Sequence, residues 1–358
     1  MLPSSPPAAF AAGLAAATLA AGVLYALQAR RAAAPAAAAA AAADASAMST
    51  TSSAQGTDVY ETSKAVAEYL LFHFGAPQEI LPYAPALGHH GALDFAARTG
   101  RLCAEWARRQ GLALDAAFDV GCAVGGTSFE LSRDFERVVG LDFSHAFVAA
   151  AERLRGQGAE RYTYQVEGAI TGQGEARLPS GARPQRCTFL QGDACALPPA
   201  EALGGRFTVI HGANLLCRLP DPMCVAGEGG AQRRSAAGSA SAPAHASQLS
   251  LSLLSLSLSP RLRDRLFIAR LASLLVPGGL VVHVSPFSWL PQYTKRELWL
   301  GGRVKADGSP DASFPGLQRA MQAQGFELLH TEDCPFLIRE HARKFQLGFS
   351  CVTVWKKL

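Results

Sequence analysis

Charge is scarce in this chain, and metal-binding spacings are missing from it. Asp, Glu, Lys and Arg make up 17% of its 358 residues, the formal net charge is +4, and no basic run exceeds a pair such as Arg233-Arg234 or Lys356-Lys357. With no basic patch to follow a phosphate backbone, nothing points to nucleic acid as a partner. The eight cysteines never fall in C-x-x-C or C-x-x-H spacing. Neither a zinc site nor a disulfide framework is implied, and Cys122 and Cys187 stand in apolar contexts typical of reduced core thiols. The nine histidines are just as dispersed, with His89-His90 the one adjacent pair, so no metal site is expected.

What is present is unevenly spread. Residues 8–27 carry no charge and are followed by Arg30-Arg31, a length sufficient for one bilayer crossing. Alanine, which makes most of that segment, is only weakly hydrophobic. No lysine or arginine precedes it as in a secretory signal, and "AAAPAAAAAAAADASA" follows like a tether. Residues 1–57 are therefore read as a leader, with a membrane anchor, an organelle transit peptide and a plain low-complexity extension left open. The expected location is intracellular, cytoplasmic or organellar. Residues 58–358 carry the chemistry, interrupted at 224–260 by a Gly/Ala/Ser run and then a Ser-Leu alternation. That stretch has too few large apolar residues for a core of its own and reads as a disordered insertion, although the alternation could pair as a strand.

Periodicity predicts helices over 60–75 and 93–110, and a strand ending before Gly121. "ERVVGLDFS", "RCTFLQ" and "RFTVIHGA" read as further strands, with a helix over 145–155 between the first two. A helix then stops at Pro277-Gly278-Gly279, and a buried strand follows at 280–284. The tail reads as two strands around a polar, arginine-rich connection. Strands alternating with helices indicate an open α/β sheet, with ligands at the strand C-termini.

The stretch "AFDVGCAVGGTSFEL" joins a strand, a small-residue turn and a helix, which aims free N–H groups at a ligand. Gly121, Ala123 and Gly126 half-match G-x-G-x-x-G, and Asp142 lies at the right distance to take ribose hydroxyls. Against a dinucleotide, Ala123 sets a methyl group where bare backbone must meet pyrophosphate, and Asp119 sets a carboxylate near the same anion. A ligand with an ammonium and no phosphate suffers neither penalty, and S-adenosylmethionine is one. A turn that merely packs helix on strand is the plain alternative. The expected cofactor contacts are Asp119, Gly121, Cys122, Ala123, Gly125, Asp142, Phe143, Asp193, Ala194 and Asn214. Phe143 would cover the adenine. Asp193 would accept the adenine amino proton or simply cap a helix, and Asn214 would face the reaction point or satisfy loop backbone.

The order of these motifs resembles a class I S-adenosylmethionine-dependent methyltransferase. "YETSKAVAEYLLFHFG", "GCAVGG", "QGDACALP", "SPFSWLPQYTKRELWLGG" and "FLIREHARKFQ" resemble, more narrowly, the methyltransferase domain of ovothiol-biosynthesis proteins, over about residues 59–357 apart from the insertion. The resemblance implies a seven-stranded, mostly parallel sheet with a reversed last strand. It also implies methylation of an imidazole nitrogen of 4-mercaptohistidine. Two departures stand out: nothing resembles the iron-dependent sulfoxide synthase that commonly precedes this domain, and Thr208 stands where an acid commonly follows the aromatic. A separate sulfoxide synthase would then be a partner.

For such an acceptor His211 or His283 would serve as base beside Asn214, although a strand histidine is often structural. Tyr60, Trp289, Tyr293 and Trp299 would wall the ring. Arg339, Arg343 or Lys344 would clamp a carboxylate, arginine being favoured for its fork, and Glu340 would meet the ammonium. Another small or lipid acceptor, and a non-catalytic scaffold that binds S-adenosylmethionine, are the competing expectations.

Overall fold

The computed structural model describes residues 58–83, 88–220 and 266–358. The leader at 1–57 and the insertion at 224–260, with the anchor and disorder expected of them, lie outside the described residues. Among the described residues no helix is long and apolar enough to cross a membrane.

The first predicted helix forms as α1, Ser63–Phe74, capped by Thr62, whose hydroxyl accepts from the Ala65 amide at 3.1 Å. A one-turn helix follows at Pro77–Ile80, and the second prediction becomes α2, Phe95–Arg109. The chain then runs through β1 (Ala116–Val120), α3 (Gly126–Leu131), β2 (Arg137–Asp142) and α4 (His145–Gln157). Next come β3 (Ala159–Glu167), β4 (Ile170–Arg177), β5 (Cys187–Gln191), β6 (Phe207–Ala213), α5 (Leu266–Leu274) and β7 (Leu275–Ser285). The short pair β8 (Arg303–Val304) and β9 (Pro310–Asp311), then α6 (Ser313–Gln322), β10 (Phe326–His341) and β11 (Lys344–Lys357), complete it.

Seven strands form one sheet in the order β10-β11-β7-β6-β1-β2-β5. From β5 to β7 every pairing is parallel, whereas β11 is antiparallel to both β7 and β10. The last strand of the chain thus runs against the other six, the architecture expected from the sequence. Strand β1 is buried throughout because helices cover both faces. Ala117, Val209 and Val282 pack with Phe72 and Phe129 on one side, and Phe118, Ile210 and Val281 with Leu271 and Trp355 on the other.

Three local readings change. Pro277-Gly278-Gly279 does end α5's neighbourhood, but it lies inside β7, where the pairing jumps from Phe207↔Leu275 to Val209↔Leu280. It is an irregularity of the strand rather than a loop. The arginine-rich connection of the tail is also strand, since β10 and β11 pair as far as His341↔Lys344. Because β11 pairs with β7 only over Cys351–Lys356, the remainder projects past the sheet as a two-stranded ribbon. The β3–β4 hairpin was not foreseen. It pairs Tyr162 with Gly174 and Tyr164 with Gly172, and a Cβ at either glycine would come within 2.4–2.6 Å of the tyrosine ring carbon opposite. The rings lie across bare backbone, so the glycines that weaken a strand pattern on paper are what this hairpin requires.

Candidate active site

The parallel strands deliver their C-termini to one edge of the sheet, and there the backbone is strained. Ala123 after β1, Asn214 after β6 and Phe287 after β7 have φ of 47°, 54° and 50°. Asparagine tolerates this left-handed region, whereas alanine and phenylalanine each pay about 1 kcal/mol or more. Strain held at three neighbouring strand ends marks the place where the fold gives up stability for position.

Asp142 organises the first of these turns. One carboxylate oxygen accepts from the Ala123 amide at 2.8 Å and the other from the Ser144 amide at 2.9 Å. Burial pushes its carboxyl up to about 6, with the Asp119 and Glu61 charges adding to the rise and the two backbone donors opposing it. Beside it Phe143 is 47% exposed, a free aromatic face next to a carboxylate. Across the gap, Asp193 accepts from the Cys195 amide at 2.7 Å as the cap of a 3-10 turn that begins at the buried Ala194. The capping role expected as the plainer reading of Asp193 is therefore present.

Asp119 differs from its expected role. It is 1% exposed, with one oxygen accepting from Ser128 Oγ at 2.6 Å and the other 2.8 Å from His211 Nδ1. It braces α3 and β6 from inside, a positioning residue rather than an open ligand. The amide of Gly126, which opens α3, is not free either: it donates to His73 Nδ1 at 3.1 Å. A Cβ on Gly126 would sit 2.5 Å from that nitrogen, so glycine is what admits the imidazole. Burial holds His73 down at about 4, with His211 pushing the same way and Asp119 against it. The ring is neutral at pH 7 and can accept. Gly121, Cys122 and Gly125 form the turn itself, where the Gly121 and Cys122 amides donate to Leu141 O at 2.7 and 3.1 Å and the Gly125 amide to Cys122 O at 2.9 Å.

His211 and His283 are brought together on β6 and β7, lining a small cavity of about 20 Å³ with Leu215, Leu216 and Leu271. His211 Nε2 and both nitrogens of His283 are buried without a hydrogen-bond partner. Burial and the neighbouring His211 hold His283 down at about 4, so this ring too is uncharged. Asn214 closes the edge: its amide donates to Val284 O at 2.8 Å and its Oδ1 accepts from Ser350 Oγ at 2.7 Å, which ties it to the ribbon.

The tyrosines gather over this edge. Ser144 Oγ donates to Tyr60 O at 3.0 Å, and Glu61 accepts from the amides of His145 and Ala146 at 3.0 and 3.1 Å, so the segment before α1 is clamped onto the start of α4. Tyr60 meets Tyr69 edge-on at 6.2 Å between ring centres. Burial pushes Tyr69 up to about 12, with the Asp142 charge adding to the rise. Burial also raises Tyr60, helped by Tyr69 and Tyr293 and opposed by Arg218. Tyr293 in turn lies under the Arg218 guanidinium, 5.1 Å from ring centre to carbon. Tyr60 and Tyr293 thus belong together, joined by Tyr69 and Arg218, which sequence reasoning missed. Tyr69 lies in the apolar stripe of α1 and in the "YETSKAVAEYLLFHFG" stretch, and Arg218 in "ANLLCRLPDP", but neither spacing assigns a role to the side chain.

The other residues expected at the substrate make contacts of their own. Trp289 and Trp299 stack on each other at 6.3 Å; Trp289 is 8% exposed and donates to Ser313 Oγ at 2.8 Å, and Trp299 donates to Thr294 O at 2.9 Å. They are spent on packing the loop against α6. Arg339 is buried, donating to Glu79 O with its guanidinium 4.9 Å over Tyr164, so it pins the ribbon to its neighbours. Glu340 pairs with Lys344 and Gln346, and Arg343 lies at the ribbon's exposed tip. Among the described residues no cluster of His, Cys, Asp and Glu could hold a metal ion.

No protein-family model and no curated protein matches this chain. Among solved structures it is similar to magnesium protoporphyrin IX methyltransferase from Synechocystis with bound SAM, at 13% identity and a TM-score of 0.44, over 86% of this chain and 100% of that one. It is also similar to a S-adenosylmethionine-dependent methyltransferase from Clostridium acetobutylicum, at 11% identity and a TM-score of 0.41, over 77% and 96% of the two chains. A SAM-dependent methyltransferase from Methanosarcina mazei aligns at 15% identity and a TM-score of 0.38, over 68% and 92%.

Proposed function

We propose that this chain binds S-adenosylmethionine at the ends of β1, β2 and β5 and transfers its methyl group to an imidazole ring nitrogen of 4-mercaptohistidine. The observation that carries the cofactor reading is Asp142. Its carboxylate is fixed by two amides yet keeps a second lone pair on each oxygen, suited to the paired hydroxyls of a ribose. The exposed Phe143 next to it suits a flat base. The β1 turn supports a ligand without phosphate, because the Ala123 amide is given to Asp142 and the Gly126 amide to His73, leaving these two donors unavailable to an anion. The acceptor reading rests on the motif resemblance of the "SPFSWLPQYTKRELWLGG" and "FLIREHARKFQ" stretches.

Bound S-adenosylmethionine would supply an electrophilic methyl on a sulfonium. The chain's own share is to hold the ribose at Asp142, to exclude water with Tyr60, Tyr69 and Tyr293, and to present the acceptor nitrogen in line. Among the described residues no hydrogen bond leads from the site to His211 Nε2 or His283. These histidines are therefore assigned to shaping the edge, and His211 to holding Asp119. A lipid acceptor would need an open apolar pocket at Trp289 and Trp299, whose rings are instead stacked on each other, Trp289 buried and Trp299 partly buried.

Calorimetric titration with S-adenosylmethionine tests the cofactor reading. Asp142→Ala removes two charge-assisted hydrogen bonds, and affinity should fall about 100-fold. Unchanged affinity would remove Asp142 from the site.

A further inference from the structure

Arg218 closes the 3-10 turn Leu216–Arg218 beyond β6, on the loop that carries Asn214. A guanidinium has five N–H donors. Here Nη1 donates to Ser288 O at 2.8 Å and Cys217 O at 3.1 Å, with Cys217 Sγ 3.4 Å away, and Nη2 donates once, to Ser288 Oγ at 3.2 Å. The donors left over are Nε–H and the second Nη2–H. These two lie along one edge of the plane at the spacing that forks the two oxygens of a carboxylate. Each contact that Arg218 makes among the described residues is to an uncharged group. Of the other arginines near the expected acceptor end, Arg339 is buried against Glu79 and Tyr164 with its Nε–H unpartnered, and Arg343 stands at the ribbon tip.

The guanidinium is also held still. Ser288 fixes one edge and Tyr293 covers a face, so little side-chain entropy remains to be lost when the open edge is used. It stands within electrostatic reach of Tyr60 and Tyr69, and Tyr69 is in turn within reach of Asp142, which places it beside the cofactor edge. A single positive charge with two open donors matches a monoanionic carboxylate; a phosphate dianion would call for further cations.

We propose that the Nε–Nη2 edge of Arg218 binds the carboxylate of the methyl acceptor, which makes the acceptor a carboxylic acid, of the amino-acid class, with its ring against Tyr293. This rests on the methyltransferase reading for the word acceptor, but the anion site itself does not.

The test compares two probes that share a ring, 4-mercaptohistidine and its decarboxylated counterpart 4-mercaptohistamine. Each is titrated calorimetrically into the full chain, with and without saturating S-adenosylhomocysteine. The acid should bind at least about 10-fold tighter than the amine, the worth of one charge-assisted fork. Arg218→Leu should bring the two within about 3-fold, while Arg218→Lys, keeping charge and losing the fork, should fall between. Unchanged S-adenosylhomocysteine affinity in both variants reports an intact fold. Equal binding of the two probes, binding of neither, or a preference that survives in Arg218→Leu overturns the proposal. Failure of the wild-type chain to bind S-adenosylhomocysteine would instead overturn the methyltransferase reading, and the titrations without it would still decide the role of Arg218.

Discussion

The two halves of the strand-end edge treat their polar groups in opposite ways. At β1 and β2 each carboxylate is engaged on both oxygens: Asp119 by Ser128 and His211, Asp142 by Ala123 and Ser144. At β6 and β7 the ring nitrogens of His283 and Nε2 of His211 are buried without a partner, and beyond β6 the half-exposed Arg218 keeps one edge open. Unmade hydrogen bonds in buried surroundings cost free energy, and folds retain them where something else is served. The first half is a pre-set mount, which positions a ligand without itself changing. The second is built to be completed.

Breaking the mount should have the largest effect. Asp119→Ala orphans the buried Ser128 hydroxyl and His211 Nδ1 together, and stability should fall by about 3 kcal/mol, read as a lowered midpoint in urea. A loss below about 1 kcal/mol would mean that the brace is idle.

Acid should separate the halves next. Ligand hydroxyls need the ionised Asp142, whose carboxyl sits at about 6, so S-adenosylmethionine affinity should fall by up to about tenfold per pH unit below that value. Stability moves through other groups as well. His73 and His283, held near 4 against the ordinary 6.5, contribute stability that is complete above 6.5 and is lost as pH falls towards 4. Asp142, raised from 3.8, works in the opposite sense, its contribution being lost as pH rises from about 4 to 6. Two histidines outweigh one carboxyl, so the net result is destabilisation on acidification from 6.5 to 4. A flat melting temperature across that range would contradict the burial of these rings as neutral species.

The smallest effect belongs to the unpartnered cavity. His283→Leu exchanges two unsatisfied nitrogens for apolar atoms of similar volume and should change stability by less than about 1 kcal/mol, or raise it. A large loss would show that His283 is partnered in solution.

The same division explains what could be read in advance. Asp119, Gly121, Ala123, Gly126 and Asp142 lie within one strand-turn-helix-strand stretch, where sequence spacing is nearly spatial spacing, so the turn and its two carboxylates were legible, whereas the reversed last strand was implied by the family resemblance. The second half is assembled across distance. His73 reaches Gly126 from a helix whose periodic stripe reads only as core, and Ser350 reaches Asn214 from the last strand. Arg339 misled because a polar run in the tail looks like a loop. It is buried by pairing with Phe345 and by its bond to Glu79, neither of which has a local sequence signature. The β3–β4 hairpin was hidden by glycines that only the tyrosines opposite make sense of.

The most direct measurement is of the product itself. S-adenosylmethionine with a deuterated methyl group is incubated with the full chain and 4-mercaptohistidine, the mass of the product is followed, and NMR locates the label. The account predicts one labelled methyl on an imidazole ring nitrogen. Label on sulfur, or none despite tight S-adenosylmethionine binding, would contradict it.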